Sequence, residues 1–482
     1  MKIAIASSGL GHVARGIETW ACDTAGALAE VRSQKSEVRA EVRGQRAEGN
    51  REGSLSLEVT LFSGAHLTNL AVRFPLLAVH VIPCLKRGDR MARWLSRITP
   101  GFAWRWGLKN PYGWEQLSFW WRLWPALRRE GIDLLHVQDP MVAYWCRLFR
   151  KWGLVKAKEI LAHGTEETVE FLSGFDYLQH LAPWHLEQMA GGRRSEVGGR
   201  RGEKGFNHEG HEDHRECRGK YWVAMPNFVD CGVFCPDAGR RQAVRSDLGI
   251  PDYALVVGCV AAVKKHHKRI DYLIREFAKC SHGQQNAFAA RSAPPALKSE
   301  DKGSENGVAV RVPFLLIVGA KTEDTWELIQ LAESLIPGRY KVLTDCGRDR
   351  MPDVYRAMDV FVLTSLFEMM PIALLEALAS GVPCLVNKHP VLEWMVGVGE
   401  IKDHRLQTTD HRPRAEIGGW GTGGGAAIDM GREGALAEAL GSVSEEWVGI
   451  TGRQARVRAE GVFSKEAVVK QYIRYYQAVM ES

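Results

Sequence analysis

The chain has 482 residues, 45% of them hydrophobic and 25% charged. This composition is typical of a folded protein, and the length exceeds one ordinary core, so we expect two domains. Lysine and arginine number 63 against 57 acidic residues, and the net charge of +6 is smaller than most nucleic-acid-binding proteins show.

The ten cysteines include no CxxC pair, and several stand in apolar runs. This favours buried thiols in a reducing cytoplasm over a disulfide framework. The N-terminal segment MKIAIASSGLGH is too short in apolar residues for a signal peptide and predicts a first strand. No apolar run approaches the roughly 20 residues of a membrane-spanning helix. We therefore expect a cytoplasmic protein that is soluble or makes peripheral contact with the inner membrane face.

The chain alternates strand-like and helix-like segments in both halves. In the first half, strands are predicted at Lys2–Ala6, Ser56–Phe62, Ala78–Ile82, Asp133–Val137 and Glu159–Ala162, with helices from Val13 and over Met141–Phe149. In the second half, strands are predicted at Ala254–Val260, Phe314–Val318, Val360–Leu363 and from Leu385, with helices over Ile270–Lys279, Thr325–Leu335 and Ile372–Ala379. The pattern predicts an α/β protein with two Rossmann-like domains and a cleft between them.

Three polar stretches interrupt this pattern, at 31–54, 188–220 and 282–307. They hold too few apolar residues to offset the entropy lost on ordering. We predict that all three are flexible insertions at loop positions.

The most informative segment is Thr364–Asn387 (TSLFEMMPIALLEALASGVPCLVN). If Pro371 opens the helix, Glu376 lies in its second turn and Glu368 in the loop before it. Helix N-termini attract anions and hydroxyl-rich ligands, and a carboxylate accepts hydrogen bonds from sugar hydroxyls. Because Glu376 stands in an otherwise apolar stretch, where an unpaired carboxylate is costly, a functional role is favoured over an ordinary surface position.

This segment resembles the Glu-x7-Glu motif of the retaining glycosyltransferases of family GT4, which have the GT-B fold. The resemblance rests on Ser365, Glu368, Pro371, Leu375, Glu376, Ala377, Gly381 and Pro383, and departs at Met369, where the family usually has Gly. It implies that Glu368 lies near the donor sugar and that Glu376 holds the ribose. The backbone at Met369 and Met370 would face the sugar hydroxyls.

Other segments resemble the family in the expected order: Pro226–Pro236, Val257–Ile274, Asp353–Ser365 with a structural Asp359, and Phe463–Met480. The last resembles a C-terminal helix that crosses back to the first domain. The implied domains are an acceptor domain at 1–225, a nucleotide-sugar domain at 226–460 and the returning helix at 461–482.

Four cations stand within six residues at Lys264, Lys265, Lys268 and Arg269. Aligning KRIDYLI with the family's K-G-x-D-x-L-I places Lys268 at the donor diphosphate, with Lys264 as the fallback. Cys259 replaces an Arg that the family usually has, and Lys265 or Arg269 would compensate. The alternative is a solvated basic loop, but clustered cations suit a diphosphate.

In the first domain, Ser7–Gly16 (SSGLGHVARG) is a Gly-rich turn after a strand. Its spacing is not that of a dinucleotide site, but the resemblance places Gly11 and His12 against the donor phosphate and the acceptor. His163-Gly164, just after a strand, resembles the family's His-Gly pair. His163 would bind a donor-sugar hydroxyl or stabilise developing charge, and a purely structural histidine is the alternative of about equal weight.

Two further patterns carry less weight. His208, His211 and His214 mimic a metal site but lie in a low-complexity insertion, so we expect no structural metal. Seven tryptophans are interleaved with arginines, at 94, 104, 106, 114, 120, 121 and 124. They suit either a membrane-facing surface or helix packing within the first domain together with a wall for the acceptor, and the second is favoured because no continuous amphipathic helix is visible.

The resemblance implies a retaining hexosyltransferase that moves a sugar from a nucleotide diphosphate donor to a glycan, lipid or small-molecule acceptor. Catalysis would use His163, Glu368 and Lys268, with the leaving diphosphate helping to deprotonate the acceptor. No Asp-x-Asp motif stands at a suitable strand end, so we expect no obligatory metal cofactor. Because the net charge is small, we also expect no nucleic-acid partner. The alternatives are a GT-B sugar-nucleotide epimerase or hydrolase, and a non-catalytic sugar-nucleotide-binding protein.

Overall fold

The structure is a computed structural model that describes residues 1–13, 16–42, 57–67, 74–165, 167–191, 220–291, 312–398 and 423–482. The chain divides into two compact units, which we call unit 1 (Met1–Asn227 with Val468–Ser482) and unit 2 (Phe228–Ala467). Each unit is built on its own parallel β-sheet.

The sheet of unit 1 has seven parallel strands in the order β3-β2-β1-β4-β5-β6-β7. They are β1 (Lys2–Ser7), β2 (Glu58–Ser63), β3 (Ala78–Val81), β4 (Leu134–Val137), β5 (Lys158–His163), β6 (Tyr177–His180) and β7 (Tyr221–Ala224). The strand order reverses beside β1, which pairs with both β2 and β4. In open α/β sheets, the carboxyl ends of the strands at such a switch point are the usual place for a ligand.

The helices of unit 1 cover this sheet. They are α1 (Gly16–Val42), α2 (Arg90–Ile98), α3 (Pro111–Glu130), α4 (Pro140–Lys151), α5 (Val169–Leu172) and α6 (Pro183–Gly191). Helix α3 shows how local sequence sets the ends: Asn110 caps it by accepting from the Gly113 amide at 2.7 Å, and Gly131 ends it with a left-handed φ of 63°. Its Phe119 and Trp120 are completely buried in the core.

The sheet of unit 2 has six parallel strands in the order β10-β9-β8-β11-β12-β13. They are β8 (Ala254–Val260), β9 (Val312–Val318), β10 (Tyr340–Leu343), β11 (Val360–Leu363), β12 (Cys384–Asn387) and β13 (Gly425–Ile428). Here the order reverses between β8 and β11, so their carboxyl ends form the switch point of this sheet.

The helices of unit 2 are α7 (Ala238–Asp247), α8 (Ile270–Arg291), α9 (Thr325–Leu335), α10 (Met351–Ala357), α11 (Ile372–Ala379), α12 (Pro390–Val396), α13 (Ala435–Gly441) and α14 (Glu445–Arg458). Asp359, just before β11, links helix α7 to the sheet through hydrogen bonds. It accepts hydrogen bonds from Arg241 and Arg245, each at 2.5 Å, and from the Val256 amide at 2.7 Å. This carboxylate is almost completely buried and joins α7, β8 and β11.

The last helix, α15 (Lys465–Glu481), packs into unit 1 from Val468 onward. The Tyr472 hydroxyl accepts from Trp20 Nε1 at 3.0 Å, and the Tyr476 hydroxyl lies 2.7 Å from His136 Nδ1. Both tyrosine side chains are completely buried. The predicted pair of Rossmann-like sheets and the C-terminal helix that returns to the first unit are confirmed.

The predicted starts of the three polar insertions are wrong. Helices α1, α6 and α8 continue to Val42, Gly191 and Arg291, so the first residues of 31–54, 188–220 and 282–307 are helical. Glu, Arg, Gln and Ala are good helix formers, and a polar stretch of them extends an amphipathic helix without a change of backbone. Residues 43–54, 192–219 and 292–307 lie outside the described residues.

Within the described ranges, every helix falls short of the length and apolarity needed to cross a bilayer. The nine cysteines in those ranges are all free thiols.

Candidate functional site

The predicted cation and the first predicted glutamate meet at the switch point of unit 2. Lys268 lies between β8 and α8, Glu368 lies between β11 and α11, and Lys268 Nζ donates a hydrogen bond to Glu368 Oε1. The side chains are 20% and 12% exposed, so the pair is shielded but reachable. Thr364 Oγ1 donates to the Lys268 carbonyl at 2.7 Å and joins the two loops.

The backbone around Lys268 is unusual. His267 and Arg269 have φ values of 70° and 52°, in the left-handed region that non-glycine residues rarely adopt. Such conformations cost of order 1–3 kcal/mol each and persist where the surroundings enforce them. Two left-handed residues therefore flank the cation that contacts Glu368.

The other cations of this loop have different contacts. Arg269 Nη1 donates to the Met430 carbonyl at 2.8 Å, and its guanidinium lies 4.1 Å from the centre of the Tyr272 ring. Lys265 Nζ pairs with Glu327. Lys264 is half-buried, and its carbonyl accepts from the Ile270 amide at 3.3 Å. Lys268 is therefore the cation that the structure brings to Glu368, and Lys265 and Arg269 are engaged elsewhere.

Cys259 lies close to this pair, in the last part of β8, and is completely buried. Burial raises the pKa of the Cys259 thiol to about 12; the charge of Lys268 lowers that pKa and the charge of Glu368 raises it. The residue is therefore a neutral thiol and adds no positive charge where the family resemblance expects an arginine.

The second predicted glutamate, Glu376, lies on α11 and is 6% exposed. Its Oε2 accepts a hydrogen bond of 2.8 Å from the hydroxyl of Tyr355, which is completely buried on α10. Burial, followed by the negative charge of Glu376, raises the pKa of Tyr355 well above its ordinary value. Tyr355 thus stays protonated and donates to a carboxylate that would otherwise be costly to bury.

The loop before α11 carries the two predicted methionines. Met370 is buried and Met369 is half-buried. Asn387 Nδ2 donates to the Leu366 carbonyl at 3.0 Å and fastens this loop to the end of β12. Pro371 is the N-cap residue of α11, and among the described residues no side chain makes a capping hydrogen bond to the start of this helix.

In unit 1, the Gly-rich turn follows β1 at the switch point of its sheet. Gly11 has a φ of 92°, and a Cβ there would lie 2.7 Å from the Ala65 carbonyl oxygen, so both backbone and space require glycine. His12 Nε2 lies 3.1 Å from Glu115 Oε2. The predicted pair thus lies at the switch point of its own sheet, with His12 oriented by a carboxylate.

Sequence reasoning missed a set of buried carboxylates beside this turn, which we call the acidic cluster: Glu18, Glu115 and Asp139. Glu115 accepts from Arg87 Nε at 2.9 Å and from Ser8 Oγ at 3.1 Å. Asp139 lies just before α4 and, instead of capping that helix, accepts from the Ser8 amide at 2.6 Å. Glu18 Oε1 lies 3.8 Å from Arg87 Nη2. All three carboxylates are at most 3% exposed.

The members of the acidic cluster differ in ionisation. Burial, reinforced by the charges of Asp139 and Glu115, raises the pKa of Glu18 to about 8. Burial also acts to raise the pKa of Glu115, but hydrogen bonds from Arg87 outweigh it and lower that pKa below its ordinary value. Near neutral pH the cluster therefore holds a protonated Glu18 beside an ionised Glu115. Only Asp139, in the QDP that follows a predicted strand, left a usable signal in the sequence.

His163 ends β5 and lies among buried histidines. Its Nδ1 is 3.2 Å from Nδ1 of His180, and its ring centre is 5.6 Å from that of His185. Burial lowers the pKa of His163 to about 4, so its imidazole is neutral at physiological pH. A Cβ at Gly164 would lie 2.9 Å from Gln138 Oε1, so a larger residue there would require the Gln138 side chain to shift.

In the ranges that the structure describes, no group of three or more His, Cys, Asp and Glu side chains could hold a metal ion. His208, His211 and His214 lie outside these ranges.

The tryptophans divide into two groups. Trp120 is buried and Trp114 and Trp124 are partly buried, whereas four tryptophans are exposed: Trp94, Trp104, Trp106 and Trp121. The expectation of packing is wrong for those four, which lie at solvent-facing positions of α2, of the 3₁₀ turn Gly101–Trp106 and of α3.

Comparisons with known proteins bear on this geometry. Residues 308–405 match the family of glycosyl transferases group 1, and this range contains both Glu368 and Glu376. EpsF of Bacillus subtilis (strain 168), which is named as a glycosyltransferase, is 46% identical over 183 residues, or 37% of this chain and 38% of that protein. The chain spans less than half the length of the curated relatives that it matches.

Solved structures resemble the fold over the whole chain. Sucrose-phosphate synthase from Thermosynechococcus elongatus has a TM-score of 0.64 at 14% identity, covering 100% of this chain and 99% of that one. HepE from Anabaena, solved with UDP and glucose, has a TM-score of 0.60 at 14% identity, covering 99% of this chain and 100% of that one. The match at 308–405 and the GT-B fold of both units together support a GT-B glycosyltransferase.

Proposed function

We propose that this chain is a retaining glycosyltransferase of family GT4. It takes a sugar from a nucleotide diphosphate donor bound in unit 2 and transfers it to a glycan, lipid or small-molecule acceptor. The observation that carries the proposal is the pairing of Lys268 with Glu368 at the carboxyl ends of β8 and β11, within reach of solvent. The family match over the same segment supports it.

We assign Lys268 to binding the donor diphosphate. An ammonium group is a compact charge that suits phosphate oxygens, and its contact with Glu368 keeps it in place before the donor binds. When the sugar leaves, negative charge grows on the diphosphate, and a fixed cation there stabilises the transition state more than the ground state. The backbone at Met369 and Met370, just before α11, is the place for sugar hydroxyls.

We assign Glu376 to binding the ribose of the donor. Ionised carboxylate oxygens accept hydrogen bonds from hydroxyls, and the Tyr355 hydroxyl fixes one of these oxygens at 2.8 Å. A buried and oriented carboxylate loses little conformational entropy when a ligand binds, so this arrangement favours affinity for the donor.

Unit 1 supplies the residues that would contact the sugar acceptor. The neutral imidazole of His163 can donate to a hydroxyl without needing protonation. Gly11 permits close approach of backbone, and His12, which Glu115 orients, offers a ring nitrogen to a hydroxyl-bearing acceptor. We assign Gly11, His12 and His163 to substrate contact on these grounds.

One observation favours a second candidate. Cys259 is a neutral buried thiol where the family resemblance expects an arginine, so the diphosphate would meet one cation fewer. A non-catalytic sugar-nucleotide-binding protein is therefore the alternative, and an epimerase or hydrolase remains the third class to separate.

The test is donor consumption by the full chain with UDP-, GDP- and ADP-sugars, with and without pooled glycan, lipid and small-molecule acceptors. We expect a glycosylated product whose anomeric configuration, read by NMR, matches that of the donor. Glu368→Gln should abolish turnover, and Glu433→Gln, an exposed acid of the same unit that pairs with Lys279, should not. Turnover without acceptor, binding without turnover, or an inverted product would each contradict the proposal.

A further inference from the structure

An exposed apolar surface lies on α2 and the 3₁₀ turn Gly101–Trp106 that follows it. We call it the aromatic face: Met91, Trp94, Ile98, Phe102, Trp104 and Trp106, each at least 40% exposed. Single exposed apolar residues are normal, but six large ones within sixteen consecutive positions are a concentration of exposed apolar side chains, and such concentrations mark interaction sites.

The helix presents this face outward by its spacing. Met91, Trp94 and Ile98 are three and four positions apart and so lie on one stripe of α2. Ala92 and Ser96, on the opposite side, are the residues buried against the protein. A surface helix of a globular protein normally turns its large apolar residues inward, so α2 has the reverse arrangement.

Positive charge accompanies the aromatic face. Arg90, Arg93 and Arg97 are exposed along a second stripe of the same helix. Between Arg90 and Trp114 the sequence holds five basic residues and no acidic one, Glu115 being the next acid. This is a local excess, since the whole chain carries 63 basic against 57 acidic residues.

The surface is fastened to the rest of unit 1. Lys109 Nζ donates to the Thr99 carbonyl at 2.7 Å, and Trp114 Nε1 donates to the Leu108 carbonyl at 3.0 Å. Thr99 Oγ1 also donates to the Leu95 carbonyl at 2.6 Å, which closes the end of α2. The apolar stripe is therefore held in place rather than formed on binding, so docking carries little ordering cost.

We propose that the aromatic face docks unit 1 onto the surface of a lipid bilayer that carries anionic headgroups. Tryptophan favours the boundary between headgroups and acyl chains, apolar side chains enter that boundary, and arginines beside them are attracted to anionic lipid. A stripe of basic residues without acidic ones, lying beside an apolar stripe, complements an anionic bilayer surface. Docking does not depend on the proposed transferase activity.

The test is flotation of the full chain with vesicles of phosphatidylcholine, alone or mixed with phosphatidylglycerol. We expect flotation with the mixed vesicles, weakened by salt because surface charge is screened. Replacing Trp94, Phe102 and Trp104 together by Ser should lower partitioning by more than about tenfold, since the inserted apolar area is lost. Arg93→Gln with Arg97→Gln should lower it about 30-fold on mixed vesicles, since each arginine loses its attraction to anionic lipid.

The matched control is Trp326→Ser, which removes an equally exposed tryptophan from α9 in unit 2 and should leave flotation unchanged. Sedimentation velocity of each variant shows whether a second copy of the chain covers the face instead. Absence of flotation by the wild type, equal loss in Trp326→Ser, or a dimer that the triple Ser variant dissociates while flotation persists would each overturn the proposal.

Discussion

Glu368 and Glu376 stand eight positions apart and have opposite kinds of partner. Glu368 faces a cation, Lys268, whereas Glu376 accepts from a neutral hydroxyl that burial keeps protonated. An ion pair at 12–20% exposure can exchange its partner for a ligand charge, whereas a buried hydroxyl–carboxylate contact is fixed. The two residues are thus suited to different tasks, Glu368 to the reacting sugar and Glu376 to steady binding.

Tyr355→Phe tests the fixed contact. Removing the hydroxyl leaves a buried carboxylate oxygen without its donor, so we expect the free energy of unfolding to fall by about 1–3 kcal/mol. Urea denaturation followed by circular dichroism measures this change. Tyr340→Phe is the control, because its hydroxyl bonds Glu333 in an exposed setting and its loss should have little effect. Equal losses in both variants would remove the special role of Tyr355.

Glu18→Gln tests the ionisation of the acidic cluster. The pKa of Glu18 is about 8 in the folded chain against an ordinary 4.5, so the folded state binds the proton more tightly. The stability that this provides is complete below pH 4.5 and is lost as pH rises toward 8, at up to about 1.4 kcal/mol per pH unit.

Urea denaturation of wild type and Glu18→Gln at a series of pH values between 5 and 8 measures this dependence. The difference between the two curves cancels the buried histidines, whose lowered pKa values act in the opposite direction. Parallel curves for the two proteins would show that Glu18 does not titrate in this range.

At this scale the sequence predicted candidate site residues but not the contacts between them. Lys268 and Glu368 were each assigned from motif position, but a contact over 100 residues of chain is not visible in local pattern. The acidic cluster was missed because Glu115 lies in a tryptophan-rich helix and Arg87 in a loop, and tertiary packing alone brings them together. The exposed tryptophans were noticed in the sequence, but packing was preferred for them because the spacing alone does not show which side of α2 faces solvent.

At the scale of elements, the long apolar strands were all predictable and the short ones only in part. β8 and β9 are seven-residue strands that are almost wholly buried, and their apolar runs identify them. Eight of the described strands have four residues each, and four of these were predicted (β3, β4, β11 and β12), whereas β6, β7, β10 and β13 were missed. Four residues carry little periodicity, so a strand of this length is identified only where its apolar run stands out from the neighbouring sequence. Helix ends were misplaced where good helix formers continued into polar sequence.

Asp359→Ala tests how elements are joined in unit 2. The substitution leaves Arg245, which is 5% exposed, without its carboxylate partner. Removing one partner of a buried pair costs about 3–5 kcal/mol because the remaining charge stays buried. Thermal and urea unfolding measure the loss. Glu438→Ala, which breaks an exposed pair with Arg432, should leave stability unchanged, and a similarly small effect in Asp359→Ala would contradict the account.

At the scale of the whole molecule, each sheet has one switch point, and the predicted site residues lie at the two switch points or beside them. Gly11 and His12 follow β1 in unit 1, and Lys268 and Glu368 follow β8 and β11 in unit 2. Residues 468–482 complete the core of unit 1 through Tyr472 and Tyr476, so unit 1 is built from two separate stretches of the sequence. Experiments therefore use the full chain.

The central claim is that unit 2 binds a nucleotide diphosphate sugar through Lys268, Glu368 and Glu376. The most direct measurement is calorimetric titration of UDP-, GDP- and ADP-sugars into wild type, Glu376→Ala and the control Glu333→Ala, an exposed acid of the same unit. We expect one donor to bind wild type and Glu333→Ala equally, and Glu376→Ala to bind it at least about tenfold more weakly. Binding of no donor, or equal binding by all three proteins, would contradict the claim.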